Sequence, residues 1–392
     1  MRKYLPFVIS LLTVIYLGMQ KRWLDILIGD LRGTYFAVSS YFWSNGNLTD
    51  FVGVSAYPPG ANLFFMMLPA VSLEFNQWSL IIINCLFLFF IARLTKRPTL
   101  LALIILAAGP IILFRFDLLV MFLVVLSLIT FRRNKFYLSG ILLGAATITK
   151  IFPVILLPYF IFVLFVNNRQ KILPWLSAFI LSQVAIFVFF VLVTNQDPRA
   201  ISSQTTGGLS TSVHVESVMA TVLTLITAIT NPGPHGLEFL NARWNISPLY
   251  FLGHARIFKL ISPVFVALVY ALILFRYKTF KIADGLLIIL TLLITSQLLS
   301  PQYIIWPAIL VLLMDKIDRI TIFLLVCALV STQIIYPLNY GEFLDFYNKG
   351  INSHLFLIMA VRNLSLVILT LRLGLANFSF DANSPRVINP VK

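Results

Sequence analysis

Residues Leu80–Ile91 read LIIINCLFLFFI, an apolar run interrupted only by Asn84 and Cys85. The run does not alternate between apolar and polar positions, as a transmembrane barrel strand does. In hydrocarbon, only helices and closed barrels satisfy their own backbone hydrogen bonds. We therefore predict a membrane-spanning helix here, and similar runs along the chain predict an all-α integral membrane protein.

The composition of the whole chain supports this fold class. Its 392 residues are 59% hydrophobic and 11% charged, whereas soluble domains carry about 25% charged residues. A span needs about 20 apolar residues, so we predict one polytopic domain, residues 1–392, with a bundle of about twelve transmembrane helices. The predicted spans lie near 5–18, 78–92, 99–114, 117–131, 136–150, 152–166, 173–194, 256–275, 282–299, 303–315, 319–337 and 353–373.

The net charge of +15 comes from small Lys and Arg clusters between the apolar runs. Because the clusters form no single basic stripe, they indicate membrane topology rather than a nucleic-acid partner. This distribution predicts a multi-pass protein of the cell (plasma) membrane with both termini, and the tail 374–392, in the cytoplasm. It leaves two large outer loops, 19–77 and 194–255. Gly60–Leu73 is about 20 Å long as a helix, so we predict a re-entrant or interfacial helix there.

The residues that could bind a metal do not show the required spacing. Cys85 and Cys327 lie inside apolar runs, far from any ligand pair, so we expect neither a disulfide nor a metal at them. The second outer loop contains His214, Glu216 and two further histidines without an i, i+4 pair, and we predict no metal site there. The two further histidines are His235 and His254.

Aromatic residues cluster in the first outer loop. Between Tyr35 and Trp43 they recur at intervals of about three or four residues, which predicts a helix lying in the membrane interface. Asp30 stands just ahead of this helix. For a loop aspartate, the ordinary interpretation is a solvated acid or a helix cap.

Several short motifs in the first 170 residues occur in a characteristic order: Asp30 with Tyr35 five residues later, Tyr57-Pro58-Pro59, Arg115-Phe116-Asp117, and Gly140 to Gly144 followed by Thr149-Lys150-Ile151-Phe152-Pro153. This order resembles the polyprenol-phosphate-sugar-dependent membrane glycosyltransferases of the GT-C class, in particular family 87, the DUF2029 or α-1,2-mannosyltransferase-like group. Weaker similarities occur at His214–Ser217 and at Ser300–Tyr303 with Trp306. Many relatives carry Asn or Gln where this chain has Arg115 and Asp117, and this departure bears on the substrate.

The resemblance implies a GT-C-like fold and transfer of a hexose, mannose by default, from a polyprenyl-phosphate donor to a glycolipid or glycan acceptor on the outer face. No cofactor is expected, because the lipid-linked sugar is a co-substrate. Asp30 would be the catalytic base, with Asp25 as the second choice. The substrate-lining residues would be Tyr35, Tyr57, Asp117, His214, Glu216, Gln302 and Tyr303.

Sugar transfer at such a site needs a sugar donor and a base. The chain has neither a GxGxxG unit nor a GxxxxGK[ST] loop for a nucleotide, so a lipid-carried sugar is the donor that fits. Glycosidases use two carboxylates, one of them to protonate the leaving group. A polyprenyl phosphate departs as a stabilised anion, so one carboxylate acting as general base suffices.

Cations near the outer boundary run against the general charge placement, which marks Lys150, Arg115, Arg256 and Lys259 as candidate ligands of the donor phosphate. Lys150 is the strongest of these candidates. Ile151-Phe152-Pro153 breaks the helix there, and the break would leave the Lys150 ammonium facing a cavity rather than lipid. Alternatively, Lys150 extends to the interface, and Asp117 caps the next helix or pairs with Arg115. Arg362 could be a contact inside the bundle.

Two other classes of protein remain open from the sequence. A polytopic transporter or lipid-linked-sugar flippase also has about twelve helices, but transporters usually show matched broken helices in two related halves. The polar residues here lie mainly on one face, and no halves match. An O-antigen-type polymerase would need basic residues in two outer loops, and Asp30 would then be dispensable.

Overall fold

Helices form nearly all of the part of the chain that the structure describes. The structure is a computed structural model. It describes residues 2–45, 55, 57–199, 201, 213–230, 237–240, 243–246, 255–276, 279–349 and 354–379. The helices of the first half are α1 Leu5–Gly18, α2 Lys21–Leu27, α3 Phe36–Asn45, α4 Pro59–Met67, α5 Leu73–Thr95, α6 Pro98–Ala108, α7 Ile111–Phe114, α8 Asp117–Arg132, α9 Phe136–Thr149, α10 Leu157–Asn167 and α11 Ile172–Thr194.

The second half continues this helical architecture. Its helices are α12 Val218–Thr230, α13 Ala255–Arg276, α14 Ile282–Thr295, α15 Ile305–Val311, α16 Arg319–Gln333, α17 Tyr340–Lys349 and α18 His354–Ser379. Short 3-10 segments cover Arg2–Tyr4, Phe152–Leu156, Arg169–Lys171 and Pro301–Ile304, and π-helical turns cover Leu31–Tyr35 and Ile334–Leu338.

The helix boundaries follow from local sequence. The Ser72 hydroxyl accepts the Phe75 N–H at 3.1 Å and caps the start of α5, and Asp318 caps α16 in the same way. Proline in the first turn begins α4 and α6, where its missing N–H costs no helical hydrogen bond. Gly109 at φ +63° ends α6, which splits the predicted span 99–114 in two.

Among the described residues, four helical segments are long and apolar enough to cross a membrane: Leu73–Thr95, Arg169–Thr194, Arg319–Leu338 and His354–Leu375. Residues 2–27 would add a fifth only if the two helices, bent by 90°, count as one span. Each of the twelve predicted segments contains a helix, but breaks shorten several of them. The membrane-protein class is supported, and the count of about twelve spans is not confirmed.

Helix α4 covers most of the segment predicted to be re-entrant or interfacial. Its nine residues correspond to about 13 Å, too short to cross hydrocarbon. Ser39 donates a hydrogen bond to the Leu68 carbonyl at 2.5 Å, and the Trp43 indole donates to the Met66 carbonyl at 2.9 Å. These bonds join α4 to the aromatic helix α3, and α4 also packs against α9 and α11.

A small antiparallel sheet departs from the all-α prediction. Its order is β1-β3-β2, with β1 at Val213–His214, β2 at Leu237–Leu240 and β3 at Arg243–Ile246. Strands of two to four residues are too short for alternation to show in the sequence. The sheet and α12, which packs on α14 and α18, belong to the second predicted outer loop.

Charged residues from several helices and loops meet at one end of the structure. Arg132 pairs with Asp315 at 2.8 Å, and Arg372 pairs with Asp318 at 3.1 Å. Helix α8 has Arg132 at its last position and Asp117 at its first, which places them about 22 Å apart along the axis. The structure thus has a basic end and, opposite it, the end that carries Asp117.

Two glycines allow close contact between α9 and α11. A methyl group on Gly140 would lie 2.5 Å from the Trp175 carbonyl oxygen, and one on Gly144 would overlap the Phe179 carbonyl oxygen. Small residues four apart let helix backbones approach in this way. This packing fixes the end of α9, where Lys150 follows.

Candidate functional site

Asp30 forms an ion pair with Arg115. The carboxylate Oδ2 lies 2.6 Å from Nη1, with the Arg115 side chain 5% exposed and the Asp30 side chain 40% exposed. Asp30 precedes the π-helical turn Leu31–Tyr35, but its side chain makes no capping hydrogen bond there. Arg115 lies in extended backbone between α7 and α8. The helix-cap interpretation is therefore wrong. The buried Arg115 guanidinium holds the Asp30 carboxylate, which remains partly exposed to solvent.

Tyr336 and Asn84 hold Arg115 in turn. The Arg115 Nη2 donates to the Tyr336 hydroxyl at 2.5 Å, and that hydroxyl donates to the Ile26 carbonyl at 2.9 Å. The Asn84 amide donates to the carbonyls of Leu113 and Arg115 at 2.8 and 2.9 Å. Sequence analysis missed both residues. Asn84 had a signal, since it is a polar residue inside the apolar run of α5, whereas Tyr336 had none.

Asp117 forms a second, more buried ion pair with Lys150. The Lys150 Nζ lies 2.7 Å from Asp117 Oδ1, and the Trp306 indole N–H donates to the same oxygen at 2.7 Å. The side chains are 12% and 1% exposed. The pairing of Asp117 with Arg115 that was considered from the sequence is wrong, and so is extension of Lys150 to the interface.

Aromatic rings surround the Lys150 ammonium. Its Nζ lies 5.0, 4.7 and 5.2 Å from the ring centroids of Phe116, Tyr303 and Trp306, within the range of cation–π attraction. Helix α9 ends at Thr149 and a 3-10 segment begins at Phe152. The predicted helix break at Lys150 is confirmed.

An aromatic cluster links the two ion pairs. Phe116 lies between Arg115 and Asp117 in the chain, and its ring contacts Tyr35 and Tyr57 with centroids 5.7 and 5.1 Å apart. Tyr35 also stacks on Phe65 at 4.2 Å. Burial, reinforced by the charge of Asp30, raises the pKa of Tyr35 above its usual value, so its phenol stays protonated. Tyr35 and Tyr57 therefore lie in the candidate site, packed against Phe116 between the two ion pairs.

Glu216 and His214 occupy a separate buried cluster. Glu216 Oε2 lies 2.6 Å from Arg362 Nη1, and both side chains are fully buried. Asn363 donates to the Thr221 hydroxyl at 2.6 Å. The His214 N–H donates to the Gln297 carbonyl at 2.9 Å. The bonds of Arg362 and Asn363 attach the predicted second outer loop to α18, and the His214 bond attaches it to the segment after α14, so Arg362 is a contact inside the bundle. Acceptor binding by Glu216 and His214 stays a prediction.

Gln302 and Tyr303 lie in the 3-10 segment Pro301–Ile304, which follows a short non-helical stretch after α14 and leads into α15. Ser300 donates to Gln302 Oε1 at 2.6 Å, and Tyr303 stacks on Trp306 at 4.3 Å. Arg256 falls in the first turn of α13. Its side chain lies outside the described residues, as do the Lys259 side chain and the whole of His235 and His254.

The comparisons with known proteins identify the family. No curated protein matches the chain at significant similarity. The sequence profile of glycosyltransferase family 87 matches residues 56–301, well over half of the 392 residues. The match includes Arg115, Asp117 and Lys150 and begins after Asp30, so it carries no information about that carboxylate. The extent of the match places the chain in glycosyltransferase family 87.

Proposed function

We propose that this glycosyltransferase transfers a hexose, with mannose as the first candidate, from a polyprenyl-phosphate donor to a glycolipid or glycan acceptor. The observation that carries the proposal is the partly exposed Asp30 carboxylate, held by the buried Arg115 close to the Asp117–Lys150 pair. Transfer from a lipid phosphate needs a base for the acceptor hydroxyl, the role proposed for Asp30, and a cation for the phosphate, the role proposed for Lys150.

In the proposed reaction, Asp30 is the general base. Arg115 contacts Oδ2, and no described residue donates a hydrogen bond to Oδ1. This oxygen takes the proton of the acceptor hydroxyl as the acceptor oxygen attacks the anomeric carbon. The bond between that carbon and the phosphate oxygen breaks, and the polyprenyl phosphate leaves with the electron pair. A single displacement of this kind inverts the anomeric configuration, and a positioned base contributes about 10²–10⁴-fold.

Lys150 is the proposed ligand of the donor phosphate. An ammonium has three N–H donors, and Asp117 and the aromatic rings leave donors for a phosphate oxygen. Arg115 uses Nη1 on Asp30 and Nη2 on Tyr336, so we assign it to positioning the base rather than to the phosphate. Arg256 keeps its proposed phosphate role on sequence grounds alone.

The proposed orientation puts the site on the extracytoplasmic face. Support comes from the basic residues at the opposite ends of the helices, where Arg97 and Arg132 contact Asp315. Arginine and lysine accumulate on cytoplasmic loops. A donor available on the outer face is lipid-linked, because sugar nucleotides belong to the cytoplasm.

A donor assay tests the function. We expect the purified protein, incubated with a membrane lipid extract, to consume radiolabelled polyprenyl-phosphate mannose and leave a sugar nucleotide intact. Release of polyprenyl phosphate should match the label gained by the acceptor. Consumption of the nucleotide instead would contradict the donor class. Movement of the lipid-linked sugar across the liposome membrane, without transfer of the sugar to an acceptor, would favour the flippase or transporter alternative.

Replacing Lys150 by glutamine tests the phosphate ligand. Glutamine can still donate to Asp117 but lacks the positive charge. Hydrogen bonds to charged groups contribute about 1.5–3 kcal/mol, so we expect the KM for the donor to rise by about 10- to 100-fold, with the KM for the acceptor little changed.

The matched control is Lys150→Arg, which keeps the charge and should recover most of the donor affinity. Thermal unfolding of both variants checks that the Asp117 environment remains folded. A folded Lys150→Gln protein with the donor KM of the unsubstituted protein would remove Lys150 from the site.

A further inference from the structure

A cavity of about 460 Å³ opens at the basic end of the helices, remote from Asp30 and Lys150. It lies where α5 and α8 end and α6 and α14 begin, beside the end of α15. The proposed transfer reaction uses none of the residues that line it. Three arginines and one acid, namely Arg97, Arg132, Arg133 and Asp315, make up its charged lining.

The arginines outnumber the acid, and two of them contact residues 312–315. Arg97 donates to the carbonyls of Leu312 and Asp315 at 3.4 and 3.0 Å, and Arg132 contacts the Asp315 carboxylate at 2.8 Å. Arg133 is exposed and has no acidic partner in the described part of the chain. One carboxylate therefore balances three guanidinium groups, and the cavity has an excess of about two positive charges at pH 7.

The rest of the lining is apolar. Leu94, Ile129, Ile282 and Leu312 form a wall that continues from the charged rim into the apolar helices. A soluble phosphate would contact only the charged rim. A membrane lipid would contact both the rim and the apolar wall, because its phosphate and acyl chains belong to one molecule. Arginine binds phosphate through two parallel hydrogen bonds. The three arginines lie at the ends of apolar helices, the depth at which lipid headgroups are found.

We propose that this cavity binds the phosphate headgroup of an anionic phospholipid, with Arg97, Arg132 and Arg133 as its ligands and the apolar wall against an acyl chain. A lipid bound there would contact the neighbouring ends of α5, α6, α8 and α14. Its phosphate would neutralise the excess positive charge of the arginines. The site is distinct from the donor site, which we place at the other end of α8.

Native mass spectrometry of the full-length protein tests the proposal, with phosphatidylglycerol as the probe and phosphatidylcholine as the neutral comparison. We expect one tightly retained phosphatidylglycerol. Replacing the unpaired Arg133 with glutamine should weaken its retention about tenfold, the effect of losing about 1.4 kcal/mol, and Arg132→Gln/Arg133→Gln should weaken it further.

The matched control is Lys171→Gln, which removes an exposed positive charge outside the cavity and should leave retention unchanged. Equal losses in the control and the Arg133 variant would overturn the proposal, because they would indicate general attraction to anionic lipid. Equal retention of phosphatidylcholine, or competition by soluble glycerol phosphate alone, would overturn the lipid assignment. Thermal unfolding in phosphatidylcholine nanodiscs confirms that each variant is folded.

Discussion

Asp30→Asn should lower the rate of sugar transfer by about 10²–10⁴-fold, the contribution of a positioned general base. Asparagine has nearly the same shape, so the geometry around Arg115 is retained, but an amide cannot accept the acceptor's proton. We expect kcat to fall with little change in the KM for the donor, because donor binding rests on Lys150. Initial rates with a radiolabelled polyprenyl-phosphate sugar measure both constants.

Asp25→Asn is the matched control, because Asp25 also lies in the predicted first outer loop. Its side chain is 72% exposed and lies 3.5 Å from that of Arg32, which is 59% exposed. Transfer by this variant should stay near the level of the unsubstituted protein. Removing the charge from Asp30 leaves the buried Arg115 without its counterion, so thermal unfolding must accompany the kinetics. A folded Asp30→Asn protein with undiminished kcat would refute the proposed base.

The helices could be predicted from the sequence because hydropathy is a local property. Runs such as that of Leu80–Ile91 predicted helical segments throughout the chain, and the Pro153 motif predicted the break after α9. Span lengths were predicted less well. Gly109 and Pro110 interrupt an apolar stretch without lowering its hydropathy much, so the break between α6 and α7 was missed.

Sequence analysis identified the charged residues of the candidate site but not their partners. An ion pair with Arg115 was one of the alternatives for Asp117, whereas Arg115 pairs with Asp30, 85 positions earlier. Lys150 is predicted from the sequence as a phosphate ligand, but its contact with Asp117 across the gap between α8 and α9 was not predicted. Pairing depends on how distant helices pack, and hydropathy contains no such information. Tyr336, which is 221 positions from Arg115, shows the same limit.

Arg362→Met should produce the largest loss of stability, about 3–5 kcal/mol, the usual cost of leaving one partner of a buried ion pair uncompensated. Both Arg362 and Glu216 are fully buried, and Nη1 lies 2.6 Å from Oε2. Arg362 also donates to the Glu216 backbone carbonyl, so the substitution releases the start of α12 as well. Thermal unfolding in detergent or nanodiscs should show a markedly lower midpoint.

Two further variants separate the buried charge from its surroundings. Arg372→Gln removes a partly exposed arginine of the same helix from its pair with Asp318, and exposed pairs contribute only about 0–1 kcal/mol. Glu216→Leu/Arg362→Met removes both buried charges, and apolar pairs in such positions are often as stable as the original ion pair. We expect this double variant to recover much of the lost midpoint. A double variant no more stable than Arg362→Met would show instead that the guanidinium bond to the Glu216 carbonyl, rather than charge compensation, holds the predicted second outer loop on α18.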